Sequence, residues 1–177
     1  MKPIINIDIE QKLKELNRED LLFHSSPATD NFLYEFVSKK KPTNIIEIGT
    51  YNGLSTVQLA SIVDGLVYTF DIIYRNCEYM WNLFGVRHKI DNFIGTKEDI
   101  HYNINWRWNR KQILFDFAFI DGDHRYKSVK WDFELVKRCG RVLFHDINGE
   151  EVGRFVKEIG GKQVHEIFGY WEAKNDN

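Results

Sequence analysis

Seven side chains in this sequence could hold a hydroxylated ligand, bind a cation or move a proton, and each follows an apolar run. Glu47 sits within Ile45-Ile46-Glu47-Ile48, and Asp71 closes Leu66-Val67-Tyr68-Thr69-Phe70-Asp71. Asp121, Asp123 and His124 follow Phe117-Ala118-Phe119-Ile120, while His145 and Asp146 follow Val142-Leu143-Phe144. Between the first two acids lies Gly49-Thr50-Tyr51-Asn52-Gly53-Leu54-Ser55, a glycine loop leading into a helix. Gly49 permits a turn where a side chain would collide, and Gly53 permits close approach of backbone to a ligand. A helix beginning near Leu54 offers unpaired N–H groups to the same place. The spacing is Gly-x-x-x-Gly, not the Gly-x-Gly-x-x-Gly that seats a pyrophosphate, so the loop suits a nucleoside. Asp71 lies 22 residues beyond Gly49. An acid at about that distance, on the adjacent parallel strand, holds a ribose diol. Thr50, Tyr51, Ser55 and Ile72 share this neighbourhood, and Gly95-Thr96, at the next strand tip outward from Asp71, should border the base. Any one of these loops could be an ordinary strand–turn–helix; four successive strands with the same polarity argue for a ligand rim.

The elements that must position these residues follow from periodicity. The apolar runs read as parallel strands buried on both faces. They alternate with helical patterns over Leu54–Val63, Arg75–Phe84, Tyr126–Cys139 and Glu150–Ile159, and Gly140 stands where a helix should stop. A strand is also expected over His88–Ile94, with Gly95–Asp99 as its exit loop, and another over Gln163–Phe168. Upstream, residues 9–23 carry apolar residues at helical spacing, and Asp30 can cap a helix running through Val37 before Lys41-Pro42 breaks it. The expectation is an α/β, doubly wound, mostly parallel Rossmann-like sheet in one domain, with a shortened C-terminal part. Residues 1–41 form a helical cap, 42–147 the ligand-binding core, and 148–177 a short C-terminal helix and strands. Ligands in such sheets sit outside the carboxyl ends of the strands.

With these motifs in place the chain resembles class I S-adenosylmethionine-dependent methyltransferases over roughly residues 42–147. Phe119-Ile120-Asp121-Gly122-Asp123-His124-x-Tyr126-x-x-Val129, followed by Phe144-His145-Asp146-Ile147, is most similar to the group containing macrocin and related sugar O-methyltransferases. The resemblance implies S-adenosyl-L-methionine across the tips of the first two strands, at Glu47, Gly49, Thr50, Tyr51, Gly53, Ser55, Asp71, Ile72, Gly95, Thr96 and Asp121. Glu47 either organises the glycine loop or meets the methionine amino group. The reaction implied is O-methylation of a small molecule or sugar. Asp121, His145 and Asp146 would hold Mg²⁺ or another divalent cation, or else only bond loop backbone. Neighbours on a strand point to opposite faces, so His145 and Asp146 share one ion only if the strand bends at its end. Imidazole would shift preference from Mg²⁺ toward Mn²⁺, Fe²⁺ or Zn²⁺. Asp123 matches the general base of metal-dependent relatives, and His124 is its rival.

Composition sets the remaining bounds. A chain of 177 residues with 43% hydrophobic and 15% aromatic content has enough for one buried core. The net charge of −2 gives no ground for bulk nucleic-acid binding. Cys77 and Cys139 have no metal spacing, there is no signal-peptide pattern, and no apolar stretch approaches the ~20 residues of a membrane span. A cytoplasmic protein acting on a small-molecule or sugar partner is expected; a homo-oligomer is compatible with the sequence. Residues 101–111 interleave aromatics with cations, which suits either base or sugar stacking or an amphipathic connector with buried tryptophans and wet arginines. His24, His88, His101 and His165 stand isolated. Two other readings stay open: a non-catalytic S-adenosylmethionine-binding module, and a nicotinamide-dependent oxidoreductase, which the glycine spacing disfavours.

Overall fold

The computed structural model describes residues 6–22 and 27–174. Its helices are α1 (Asn6–Glu15), α2 (Pro27–Lys40), α3 (Leu54–Ile62), α4 (Glu78–Leu83), α5 (Lys97–Asn109), α6 (Tyr126–Val136) and α7 (Glu150–Glu158). The strands are β1 (Ile45–Ile48), β2 (Val67–Asp71), β3 (Ile90–Ile94), β4 (Phe117–Ile120), β5 (Arg141–Phe144), β6 (Lys162–Gln163) and β7 (Gly169–Glu172). They form one seven-stranded sheet in the order β3-β2-β1-β4-β5-β7-β6. The first five strands in that order are parallel, and β7 runs antiparallel to both β5 and β6. The chain moves outward from β1 in one direction and then the other, so β1 and β4 flank the topological switch point.

Strand alternation divides the core into two layers. Ile45, Phe117, Phe119 and Leu143 face α1 to α4, whereas Ile46, Ile48, Ala118, Ile120, Val142 and Phe144 face α5 to α7. At the end of the sheet away from the ligand rim, Asp116 ties three segments together. Its carboxylate accepts from the Thr43 and Asn44 amides at 3.0–3.1 Å and from Arg141 Nη2 at 3.1 Å.

Several expected boundaries shift. The helical pattern over residues 9–23 is α1 plus a separate 3₁₀ turn at Glu19–Leu22, and Phe23 lies outside the described residues. α2 begins at Pro27, ahead of Asp30, as a proline with fixed φ allows in a first turn, and it runs on to Lys40. α4 covers only Glu78–Leu83 of the expected Arg75–Phe84. The strand expected from His88 starts at Ile90, after a 3₁₀ turn at Arg87–Lys89. Gly95–Asp99 is not all loop: Thr96 caps α5 through a capping box with Asp99, and the helix carries residues 97–109. There Trp108 is buried edge-on against Phe115, but Arg107 is not wet. It makes a two-pronged ion pair with Asp91 at 2.6 and 3.0 Å and lies 5.0 Å from the centre of the Tyr68 ring. Of the strand expected over Gln163–Phe168 only Gln163 is in β6, the rest being a bend, and the longer strand follows at Gly169–Glu172.

Candidate functional site at the strand tips

Register places the acidic tips level with one another. Ile48 pairs with Phe70 and Ile120, and Ile120 pairs with Phe144. The ladder continues one residue further: the Gly49 amide donates to Phe70 O, the Asp121 amide to Ile48 O, and the His145 amide to Ile120 O, at 2.8–3.0 Å. Gly49, Asp71, Asp121 and His145 therefore form a row, beside which a cleft of about 230 Å³ opens. Gly49, Tyr51, Asp71, Ile72, Asp121 and Asp123 line it, together with Ile48 and Phe70 beneath.

The glycine loop is held from behind. Glu47 shares the β1 face that looks toward α3 and is fully buried; its two oxygens accept from the Ser55 and Thr56 hydroxyls, both at 2.6 Å. Burial pushes its carboxyl up to about 7, against the opposing pull of those hydroxyls. Thr50 is buried with its hydroxyl 2.6 Å from that of Thr69. Glu47, Thr50 and Ser55 thus anchor the loop and do not line the cleft. Gly53 also has a different reason from the one expected. At φ 81° it precedes α3, and a Cβ there would lie 2.5 Å from Trp81 Nε1, so the close approach is to α4. Gly49 has φ 99°, and a Cβ on it would lie 2.1 Å from Asp121 O. Tyr51 adopts φ 47°, uncommon for an aromatic residue. Its amide donates to Asp71 Oδ2 at 2.8 Å, and its carbonyl accepts from the buried Cys77 thiol at 2.8 Å. The Ile73 amide donates to Asp71 Oδ1 at 2.9 Å. Asp71 thus fixes the loops after β1 and β2 while facing the cleft.

At the other end of the row, Asp121, His145 and Asp146 converge. His145 Nδ1 is buried, 3.0 Å from Asp121 Oδ1 and 3.3 Å from Asp146 Oδ2, with no hydrogen bond aligned to either. The required bend exists: β5 ends at Phe144, and Asp146 takes φ 55°, which turns its side chain back beside that of His145. Burial works against charge on His145, yet Asp121 and Asp146 outweigh it and push its pKa up to about 10. His124 reaches across the mouth, with Nε2 3.5 Å from Asp121 Oδ1 and Nδ1 3.4 Å from Asp146 Oδ2. Asp123 turns away from this cluster. It accepts from Arg125 Nε at 2.8 Å, from Arg125 Nη2 and from Ser128 Oγ at 2.7 Å, and Arg125 chiefly holds its carboxyl far below the usual carboxylate range.

Gly95 and Thr96 do not border the cleft, because the capping box turns Thr96 toward Asp99. Lys97 and Ile100 of α5 line it instead, facing Trp131 and Asp132 of α6. On α6, Val129, Phe133 and Val136 are buried against the sheet. Asp132 falls at i+3 on that same face, and a carboxylate there was the available signal. Of the isolated histidines, His88 is exposed, His101 lies 6.0 Å from the Trp131 ring, and His165 stacks on Phe32 at 4.6 Å. His24 lies outside the described residues.

No curated protein matches this sequence. Among solved structures, the chain is similar to an O-methyltransferase from Bacillus cereus bound to S-adenosylhomocysteine, at 21% identity and a TM-score of 0.71. That alignment covers 94% of this chain and 90% of the other. It is also similar to TomG, an O-methyltransferase of tomaymycin synthesis from Streptomyces achromogenes bound to S-adenosylmethionine. Here identity is 17% and the TM-score 0.67, over 96% of this chain and 89% of that one. These likenesses establish the shared fold. The family described as "Methyltransferase domain" matches residues 46–147, the stretch from β1 through the His145-Asp146 bend. The chain belongs to this methyltransferase-domain family and is a class I S-adenosylmethionine-dependent methyltransferase.

Proposed function

We propose that the protein methylates a hydroxyl oxygen of a small molecule or sugar, in the manner of the macrocin-type sugar O-methyltransferases that its Asp-Gly-Asp-His and His-Asp motifs resemble. The observation that carries this reading is the row itself: a diol-binding acid, Asp71, and the Asp121/His124/His145/Asp146 cluster stand at the two ends of one rim. The ribose would donate to the lone pairs of Asp71 left free by the Tyr51 and Ile73 amides and by Arg75, whose Nη1 lies 3.5 Å from Oδ2, with the sulfonium directed toward Asp121. That the two solved relatives hold S-adenosylhomocysteine and S-adenosylmethionine supports the choice of cofactor.

The donor set at Asp121, His145 and Asp146 fits a divalent cation. Separations of 3.0 and 3.3 Å between His145 Nδ1 and two carboxylate oxygens are what ligands about 2.0–2.2 Å from one ion would show. The nitrogen donor favours Mn²⁺, Fe²⁺ or Zn²⁺ over Mg²⁺. Such an ion would supply a Lewis acid that lowers the pKa of the acceptor hydroxyl. In the transfer, an O–CH₃ bond forms as the CH₃–S bond breaks, and its electron pair stays on sulfur as the thioether. The hydroxyl proton passes to His124, which faces the cluster, while Asp123 is engaged by Arg125 and Ser128 and positions the loop. Most of the acceleration is then orientation of oxygen, methyl and sulfur in line.

The test is ligand-dependent melting with metal analysis. S-adenosylhomocysteine at 100 times its dissociation constant should stabilise by about 2.7 kcal/mol, whereas NAD should not. Asp71→Ala should lose that shift, and Asp121→Ala and Asp146→Ala should lose bound metal. His124→Gln should retain both ligands and lose about 10²–10⁴-fold in turnover on a responsive acceptor, with Asp123→Asn less affected. Stabilisation by NAD alone would remove the methyl-transfer reading.

A further inference from the structure

A second cleft, of about 400 Å³, opens between the first turns of α6 and α7. Ser128, which lines it, donates its hydroxyl at 2.7 Å to Asp123, which lines the first cleft, so the two openings share a wall. Arg125, Lys127 and Arg154 bring three cations to this cleft, and Glu151 brings the one carboxylate. Glu151 is already engaged, because its Oε2 accepts from the Tyr126 amide at 3.1 Å at the start of α6. The cations are held but not used up. The Arg154 guanidinium lies 4.3 Å from the centre of the Tyr126 ring, with Nε 3.9 Å from Glu158, and its terminal nitrogens donate to nothing among the described residues. Arg125 gives Nε and Nη2 to Asp123, leaving Nη1 without a protein acceptor among those residues. Lys127 is exposed and has no ion-pair partner among them. One unpaired surface cation is ordinary; three converging on a concavity beside a reactive cluster are not. Arg125 and Lys127 occupy the open positions of Asp-Gly-Asp-His-x-Tyr-x-x-Val, and Arg154 lies beyond the matched stretch 46–147. None of the three belongs to the pattern that marks the family.

We propose that the acceptor is a phosphorylated sugar whose phosphate is held by Lys127 and Arg154, with Arg125 beside them, while its hydroxyl lies at His124. This rests on the methyl-transfer reading above and names the substrate class for it. His124 and Arg125 are consecutive, with Cα atoms about 3.8 Å apart, so a molecule of sugar size spans from the reactive cluster to the cations. A guanidinium fork matches phosphate oxygens two at a time, and an ammonium adds a compact charge. Three cations against the single Glu151 carboxylate leave two positive charges lining the cleft, the complement of a phosphate dianion. A neutral sugar would leave them unmatched. A charged anchor one residue from the transfer site also does what the chemistry requires, because binding energy remote from the methyl group then orients the hydroxyl.

The experiment measures, by calorimetry on the protein saturated with S-adenosylhomocysteine, affinity for glucose, glucose 1-phosphate, uridine diphosphate glucose and inorganic phosphate. Wild type should bind at least one of the two phosphorylated sugars about tenfold or more tightly than glucose, and the better of them distinguishes a monoester from a diphosphate. Lys127→Ala and Arg154→Ala, both at exposed positions, should each weaken phosphate binding by about three- to tenfold. Lys130→Ala, an exposed cation of α6 outside the cleft, should not. The phosphorylated sugar should also shift the His124 imidazole resonances, identified by their loss in His124→Gln. Glucose bound as well as its phosphates overturns the proposal, as does an equal loss in Lys130→Ala, which would reduce the effect to net charge. Phosphate binding that leaves His124 unmoved marks an anion site unconnected to transfer and overturns the acceptor assignment. A protein that does not bind S-adenosylhomocysteine removes the methyl-transfer reading and this inference with it, a failure distinct from cofactor binding without phosphate discrimination.

Discussion

At the scale of single residues, this rim separates groups that face the cleft from groups that hold those in place. Glu47 is of the second kind, and its environment gives a pH signature. Its folded pKa of about 7 lies above the ordinary 4.5. Below pH 4.5 the group is neutral in both states and costs nothing. Between 4.5 and about 7 the unfolded chain releases the proton while the folded one keeps it, so stability falls as pH rises. Above that window the cost is constant. The loss should be on the order of 3 kcal/mol. Urea denaturation of wild type and Glu47→Gln across pH 4.5 to 7.5 checks this. The gap between the two should move by that amount in favour of the variant, and a gap independent of pH would show that Glu47 stays ionised throughout. Arg125 does the opposite to Asp123, which is why two neighbouring acids read alike in sequence and differ in chemistry.

At the scale of elements, close backbone approach between β1 and β4 fixes the rim. Gly49 and Gly85 both have positive φ, but a Cβ on Gly49 meets Asp121 backbone at 2.1 Å and one on Gly85 meets nothing within 4 Å. Gly85→Ala should therefore cost about 1 kcal/mol. Gly49→Ala should cost on the order of 3–5 kcal/mol, because the Asp121 carbonyl cannot move without breaking the ladder. Paired chemical denaturation of the two variants measures the contrast. The same local rules explain what the sequence disclosed. β1, β2, β4 and β5 are buried on both faces and read as apolar runs, so their carboxyl ends and most rim acids could be located. α5 was obscured because His101, Asn103 and Asn105 interrupt Ile100, Ile104 and Trp108, although the Thr96/Asp99 capping pair was there to be read. β7 was obscured by Gly169, which is required where a Cβ would lie 2.9 Å from Ile147 and Val156. The engagement of Asp123 by Arg125 and Ser128 depends on side-chain rotamers, which spacing does not encode.

At the scale of the whole molecule, two apolar layers grip the sheet and leave its carboxyl edge free for chemistry. The N-terminal layer anchors the glycine loop through α3 and α4, and the opposite layer brings Lys97 and Ile100 of α5 and Trp131 and Asp132 of α6 to the cleft. Among the described residues no helix is long and apolar enough to cross a membrane. The rim draws on both halves of the sheet, so ligand binding should report on the assembly of the whole domain.

The antiparallel pairing of β7 with β5 also sets an order of events. Chains emerge from the ribosome N-terminus first, so β5 is made well before Gly169–Glu172 can cover it. Until then its outer edge offers free N–H and C=O groups, the template on which strands of other chains pair. His145 waits as well, because Phe168 stands 4.9 Å from its ring and the Ile147 amide donates to Ile167 O. A chain ended after residue 160 should thus aggregate during synthesis and fail to concentrate metal, while one interrupted only after residue 174 should do neither. Pelleting of the two chains after release from the ribosome distinguishes them. β7, the last strand among the described residues, acts as the catch that makes both the sheet edge and the His145 cluster final.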